Sequence, residues 1–220
     1  MRFHLLLFTL HFKALFKMNT KDYLQDIKDI KQIMSQSTQF LSLSGLSGVL
    51  AGLYAISGSV YVYYLLEKNA YKYITLESKT FLYIVITAIL VLFSSVLTAY
   101  FLTIKKAKKR NEKLWNITAK NLLINFSIPL VTGGIFCILL LKNKYYGLIV
   151  PITLIFYGLA CVNASKYTLR DIRYLGITMI VLGLLSVAFL GFGLFFWAFG
   201  FGVCHILYGL MMYYKYDRSS

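Results

Sequence analysis

Five stretches of this chain contain no Asp, Glu, Lys or Arg: Gln32–Leu66, Thr80–Ile104, Asn121–Leu141, Tyr145–Ser165 and Tyr174–Tyr214. They run for 35, 25, 21, 21 and 41 residues. A hydrocarbon core about 30 Å thick needs about 20 helical residues at about 1.5 Å each. The first gap holds one span, near residues 43–65, behind a polar Gln/Ser/Thr lead-in, and the next three hold one each, near 80–104, 121–141 and 146–164. The last gap is too long for one helix. Gly191-Phe192-Gly193 sits near its middle, so it reads as two spans, near 175–190 and 194–214. The runs are continuously apolar rather than alternating, which selects helices over barrel strands.

Composition removes the soluble alternatives. Of 220 residues, 59% are hydrophobic and 14% charged, against about 45–50% and about 25% in soluble domains. So little charge cannot cover a water-facing globule of this size. The expected fold is therefore all-α: a polytopic six-helix transmembrane bundle of three hairpins, embedded in a lipid bilayer, with an amphipathic helix in front (residues 18–40).

A net charge of +15 suggests nucleic acid until the charges are placed. Counted by alternate sides of the six spans, 18 of the 23 Lys and Arg fall on one side. The positive-inside rule then puts both termini in the cytoplasm. The charge belongs to helix ends, and no folded nucleic-acid module has room here.

Residues 1–17 (MRFHLLLFTLHFKALFK) are apolar but short, with His4, His11 and Lys13 among them. They fit three readings: a wrong start, with Met18 as the true first residue; an interfacial helix; or a signal, although no small-residue cleavage site follows. From Lys21 to Phe40, Tyr23, Leu24, Ile27, Ile30 and Met34 recur at helical spacing between Lys and Asp. This predicts an amphipathic helix on the membrane surface, or a docking helix for a soluble partner.

Within the first span Ser44, Gly48 and Gly52 step by four residues, with Gly45 nearby. Small residues let helix backbones approach closely where lipid supplies no hydrophobic force between helices. The stripe fits packing of span one within the bundle; its other uses are homo-oligomer formation, as a homodimer, or a helix that slides during transport. The eight acidic residues, among them Asp171 and Asp217, lie outside the predicted spans. Ion-coupled transport and intramembrane metal chemistry keep ionisable groups at membrane depth, so neither is expected.

Two intramembrane polar positions remain, Asn125 and His205, read as interhelical hydrogen-bonding groups or a polar ligand site. Asn163, near the end of span four, reads the same way. Cys137, Cys161 and Cys204 are isolated in separate spans, where thiols behave as small hydrophobes. No nucleophile elbow, catalytic constellation, metal set or cofactor motif stands out. Lys105, Lys106, Lys108, Lys109 and Arg110 close span two; they orient the helix and are candidate contacts for anionic lipid head groups. Pro129 with Gly133-Gly134 marks a candidate kink, whereas Pro151 sits in a first turn, where proline is harmless. Ile155–Leu159 (IFYGL) and Ile206–Leu210 (ILYGL) form a short internal echo.

Lys21–Met34 (KDYLQDIKDIKQIM) running into Ser42–Ala55 (SLSGLSGVLAGLYA) resembles a group of small bacterial multi-pass membrane proteins. The resemblance begins near Met18 and is diffuse beyond span one. It implies a bacterial inner membrane and carries over no activity or site residue. The expected function is a non-enzymatic membrane subunit, scaffold or sensor acting through helix contacts on a membrane or cytoplasmic partner. The alternative is a small-solute or lipid permease, with its cavity among spans one, three and six.

Overall fold

The computed structural model describes residues 26–28, 30, 40, 42–68, 76, 78–109 and 115–218. The chain separates into Met1–Gln39 and Phe40–Ser220. In the first part residues 26–28 and 30 are helical. The rest of the predicted 18–40 helix and the whole 1–17 extension lie outside the described residues.

The second part is an all-α bundle with six helices long and apolar enough to cross a membrane. They are α1 (Gly45–Lys68), α2 (Lys79–Lys109), α3 (Ile117–Lys142), α4 (Tyr146–Ala164), α5 (Asp171–Ala188) and α6 (Leu190–Asp217). Each matches one predicted span, and several run further than the charge gaps. Basic side chains at a helix C-terminus complement its dipole and reach the interface, so α2 continues through Lys105–Lys109. Asn116 caps α3, its Oδ1 accepting from the Ala119 N–H at 2.7 Å. α3 then runs unbroken through Pro129.

α6 alternates its winding: Ala198–Cys204 and Tyr213–Asp217 are π-helical and His205–Met212 is α-helical. It sits between α1 on one side and α4 and α5 on the other, and glycines make room on both. A Cβ on Gly202 would meet Ile56 Cγ1 of α1 at 2.5 Å. A Cβ on Gly200 would meet Leu154 Cδ2 of α4 at 2.7 Å and Met179 Sδ of α5 at 3.1 Å.

Two helix pairs touch backbone to backbone. On α1 and α6, a Cβ on Gly52 would stand 2.6 Å from the Gly202 carbonyl oxygen, and one on Gly209 2.8 Å from that of Gly45. A Cβ on Gly48 would meet the Gly209 Cα at 3.2 Å. On α4 and α5, Cβ atoms on Gly158 and Gly176 would face each other's carbonyl oxygens at 2.5 and 2.7 Å. α2 lies along α1 and α3 along α4. Among the described residues, the main neighbour of α3 is α4, whereas α1 packs on α2 and α6. α5 and α6 touch, yet the extensive packing is α4 on α5 and α1 on α6.

The start of the second part is tied across the α4–α5 turn. Phe40 N–H donates to the Tyr167 carbonyl at 2.7 Å, and Thr168 Oγ1 donates to that of Phe40 at 2.7 Å.

The glycine contacts give opposed expectations for one chemical change. Gly158→Ala forces α4 off the α5 backbone and lowers the thermal unfolding midpoint in detergent. A Cβ on Gly134 meets nothing within 4 Å. Gly134→Ala therefore leaves the midpoint unchanged or raises it, since alanine is the better helix former by about 1 kcal/mol.

Candidate functional site

Two polar clusters stand out among the described residues: an aromatic-lined pair inside the bundle and an ionic junction at the end where α1 begins. His205 lies on α6 with 6% of its surface exposed. Phe201, one turn earlier, stacks on the imidazole at 5.7 Å and 22°, and Trp197 packs on Phe201 at 5.0 Å. From α4, Tyr157 brings its hydroxyl to 2.8 Å from His205 Nε2.

The second ring nitrogen settles the direction of that bond. His205 Nδ1 is 3.0 Å from the Gly200 carbonyl oxygen, which can only accept, so Nδ1 carries the hydrogen. Nε2 then accepts from the Tyr157 hydroxyl. The Nδ1 bond closes over the π-wound turn Ala198–Cys204, a helix distortion found frequently at functional sites. Both ring nitrogens are engaged within the protein.

Asn125 is not part of this pair. Its side chain donates to the Asn121 carbonyl of its own helix at 2.8 Å, and its own carbonyl accepts from Asn163 Nδ2 at 2.9 Å. Asn163 thus ties α4 to α3, as expected of an interhelical amide. The neighbouring Phe126 packs edge-on to Tyr157 at 6.0 Å. Cys204 belongs to an apolar cluster with Leu154, Leu175 and Met179. Among the described residues no group of three His, Cys, Asp or Glu side chains could hold a metal ion.

The ionic junction centres on Asp217, the last residue of α6. Its Oδ2 accepts from the Gly45 N–H at 2.9 Å and from the Ser44 hydroxyl at 3.3 Å, and Lys106 Nζ of α2 donates to its Oδ1 at 2.5 Å. Lys106 also donates to the Leu43 carbonyl at 2.8 Å. The two charged side chains are 9% and 11% exposed, so a buried ion pair joins α1, α2 and α6. A carboxylate opposes the dipole of a helix it ends and complements that of a helix it begins; Asp217 serves the second role for α1. A parallel tie links Lys215 of α6 to Asp171, the first residue of α5, at 2.9 Å.

These positions revise several sequence expectations. Ser44 precedes α1 and serves the junction, while Gly45, Gly48 and Gly52 line the packed face. Lys106 turns inward, away from the head groups proposed for it. Lys105, Lys108 and Lys109 are exposed, and Arg110 lies outside the described residues. Asp171 and Asp217, expected beyond the spans, are the terminal residues of α5 and α6. Sequence reasoning missed Tyr157 and the Lys106–Asp217 pair. The one usable signal was an acidic residue in the last turn of a helix, where it is out of place.

No family model, curated protein or solved structure matches this chain.

Removing one partner of a buried ion pair leaves an uncompensated charge and costs about 3–5 kcal/mol. Asp217→Asn or Lys106→Met alone is expected to destabilise the bundle on that scale. The double variant is expected to recover a large part of the loss, as read from SDS-induced unfolding. Tyr157→Phe leaves His205 Nε2 without its donor, at a cost of about 1–3 kcal/mol in the same measurement.

Proposed function

We propose that this chain is a non-enzymatic multi-pass membrane protein that works through helix contacts, as a subunit, scaffold or sensor for a partner protein. One observation carries the reading. The interior polar groups are engaged with one another: His205 with Tyr157 and Gly200, Asn163 with Asn125, Lys106 with Asp217. Among the described residues, Ser186 Oγ is the one buried side-chain polar atom left without a hydrogen-bond partner. A solute path needs polar groups free to replace the water that a solute leaves behind, and these groups are already occupied. The partner is a membrane or cytoplasmic protein, or a second copy of this chain.

The chain is proposed to reside in a bacterial inner membrane with both termini cytoplasmic, on the strength of its basic-residue asymmetry and its resemblance to small bacterial membrane proteins. Lys105, Lys108 and Lys109 then face the anionic leaflet. A periplasmic reporter enzyme fused after Ser220 is expected to be inactive, and an active fusion would reverse the orientation.

Crosslinking in native membranes followed by purification in mild detergent tests the function. A stoichiometric partner is expected, and it is lost when residues 21–39 are deleted, which leaves the Phe40 tie to the bundle in place. Recovery of the chain alone, together with altered solute uptake on Tyr157→Phe or His205→Gln, would instead support the permease.

A further inference from the structure

The described residues that lead into α1, Phe40 and residues 42–44, are neither helical nor exposed. Phe40 and Ser44 are buried, and Ser42 is fully enclosed at 0% exposure. Buried backbone outside a helix needs partners for its N–H and C=O groups, and other elements supply them here. Phe40 forms a single parallel bridge with Thr168. It gives its N–H to the Tyr167 carbonyl and takes the Thr168 hydroxyl on its own, so the α4–α5 turn engages both of its backbone groups. The Leu43 carbonyl accepts from Lys106 of α2, and the Ser44 hydroxyl reaches Asp217 of α6. The segment thus runs from the α4–α5 turn to the ionic junction and joins the two tightly packed helix pairs.

Its side chains close this end of the bundle. Leu43 packs against a buried cluster of Cys161, Leu169, Ile172 and Met212, and Tyr157 packs against the same cluster. Cys161 lies in the last turn of α4, a few residues before the exposed Lys166 and Arg170, yet only 2% of its surface is exposed. A side chain so near the helix end needs a cover, and Leu43 is part of it. Tyr157, the partner of His205, stands one turn deeper.

The hold on this segment differs in kind from that between the helices. Separating α1 from α6, or α4 from α5, parts backbone contacts spread along whole helices. Lifting Phe40 and Leu43 breaks their backbone hydrogen bonds and uncovers two apolar side chains, next to a turn whose Lys166 and Arg170 are already exposed. Water there takes up the freed N–H and C=O groups, whereas lipid offers no such replacement to groups deeper in the bundle. Local openings of this kind cost far less than separating the core.

We infer that Phe40, Ser42 and Leu43 form a detachable plug. It leaves the end of the bundle as a unit and uncovers the last turn of α4, while the six helices stay packed. Ser44 and the Gly45 N–H keep their bonds to Asp217, and this contact is the pivot. The plug is joined directly to residues 21–39. On the function proposed above, which assigns those residues to a partner, the plug is the point at which a bound partner acts on the bundle.

Cys161 reports the opening. The parent for the test is the full chain with Cys137→Ser and Cys204→Ala, held in phosphatidylcholine–phosphatidylglycerol nanodiscs and treated with a membrane-impermeant maleimide. Labelling of Cys161 follows the population with the plug out when reclosing is fast. Thr168→Val keeps the shape of the side chain but leaves the Phe40 carbonyl without its donor, and is expected to speed labelling about tenfold or more. Leu43→Ala removes part of the cover itself and is expected to do the same. A chain that retains only Cys204, in the apolar cluster of the bundle interior, is expected to stay unlabelled with either substitution. Unchanged labelling of Cys161 in either variant, or labelling in the parent as fast as in the denatured chain, would overturn the proposal. Equal gains at Cys161 and Cys204 would show that the segment belongs to the core and does not detach, which also overturns it. Deleting residues 21–39 is expected to leave Cys161 protected, because Phe40 holds the plug; exposure of Cys161 would count against it. No partner enters these measurements, so the crosslinking result can fail while this one stands, and the reverse.

Discussion

At Gly48 and Gly209, and again at Gly158 and Gly176, two helices come close enough for an added methyl group on one to press on a backbone atom of the other. Lipid tails are as apolar as leucine, so helices in a bilayer gain nothing by hiding greasy faces from it. What holds them is close contact over long stretches, and close contact requires the absence of side chains. Glycine supplies that absence at these two pairs and at both flanks of α6. The remaining architecture follows. α6 is clasped between α1 and the α4–α5 pair, while α2 and α3, with one principal neighbour each, expose most of their surface to lipid.

Close packing brings polar groups into a medium without water, and each then needs a partner inside the protein. His205 has two, a tyrosine on α4 and a carbonyl exposed by the π-wound stretch of its own helix. At the end where α1 begins, the free N–H groups of α1 face a carboxylate supplied by α6, and Lys106 of α2 neutralises it. A second ion pair joins α6 to α5, here with the carboxylate on α5 itself, at Asp171, and the lysine, Lys215, on α6. The ionic ties set the axial position of α6 against α1, α2 and α5, and the glycine contacts set its distance from α1.

The six spans are legible in the sequence because lipid enforces a minimum apolar length and excludes charge, and both constraints act on consecutive residues. The ends are less legible, since the interface tolerates charge within a helix; α2 runs on through Lys109 and α6 through Asp217. The small-residue stripe of α1 is visible as a packing face, but the residues opposite it are 150 or more positions away and leave no local mark. The IFYGL and ILYGL echo holds one trace of them, because Gly158 and Gly209 are the contact glycines of the two tight pairs. His205 stands out as a lone imidazole in an apolar run. Its partner Tyr157 is one of 18 tyrosines, and its place in the IFYGL echo does not separate it from Tyr208 in ILYGL. Lys106 is equally anonymous among the basic residues that end α2, and only the rotation of α2 against α1 turns it inward.

The central claim is direct backbone contact between α1 and α6. Magic-angle-spinning NMR of the glycine-labelled chain in lipid bilayers tests it most directly. A through-space correlation between the α-carbons of Gly48 and Gly209 is predicted. Its absence, with Gly48 correlating to lipid acyl chains instead, would contradict the arrangement on which the rest of the bundle depends.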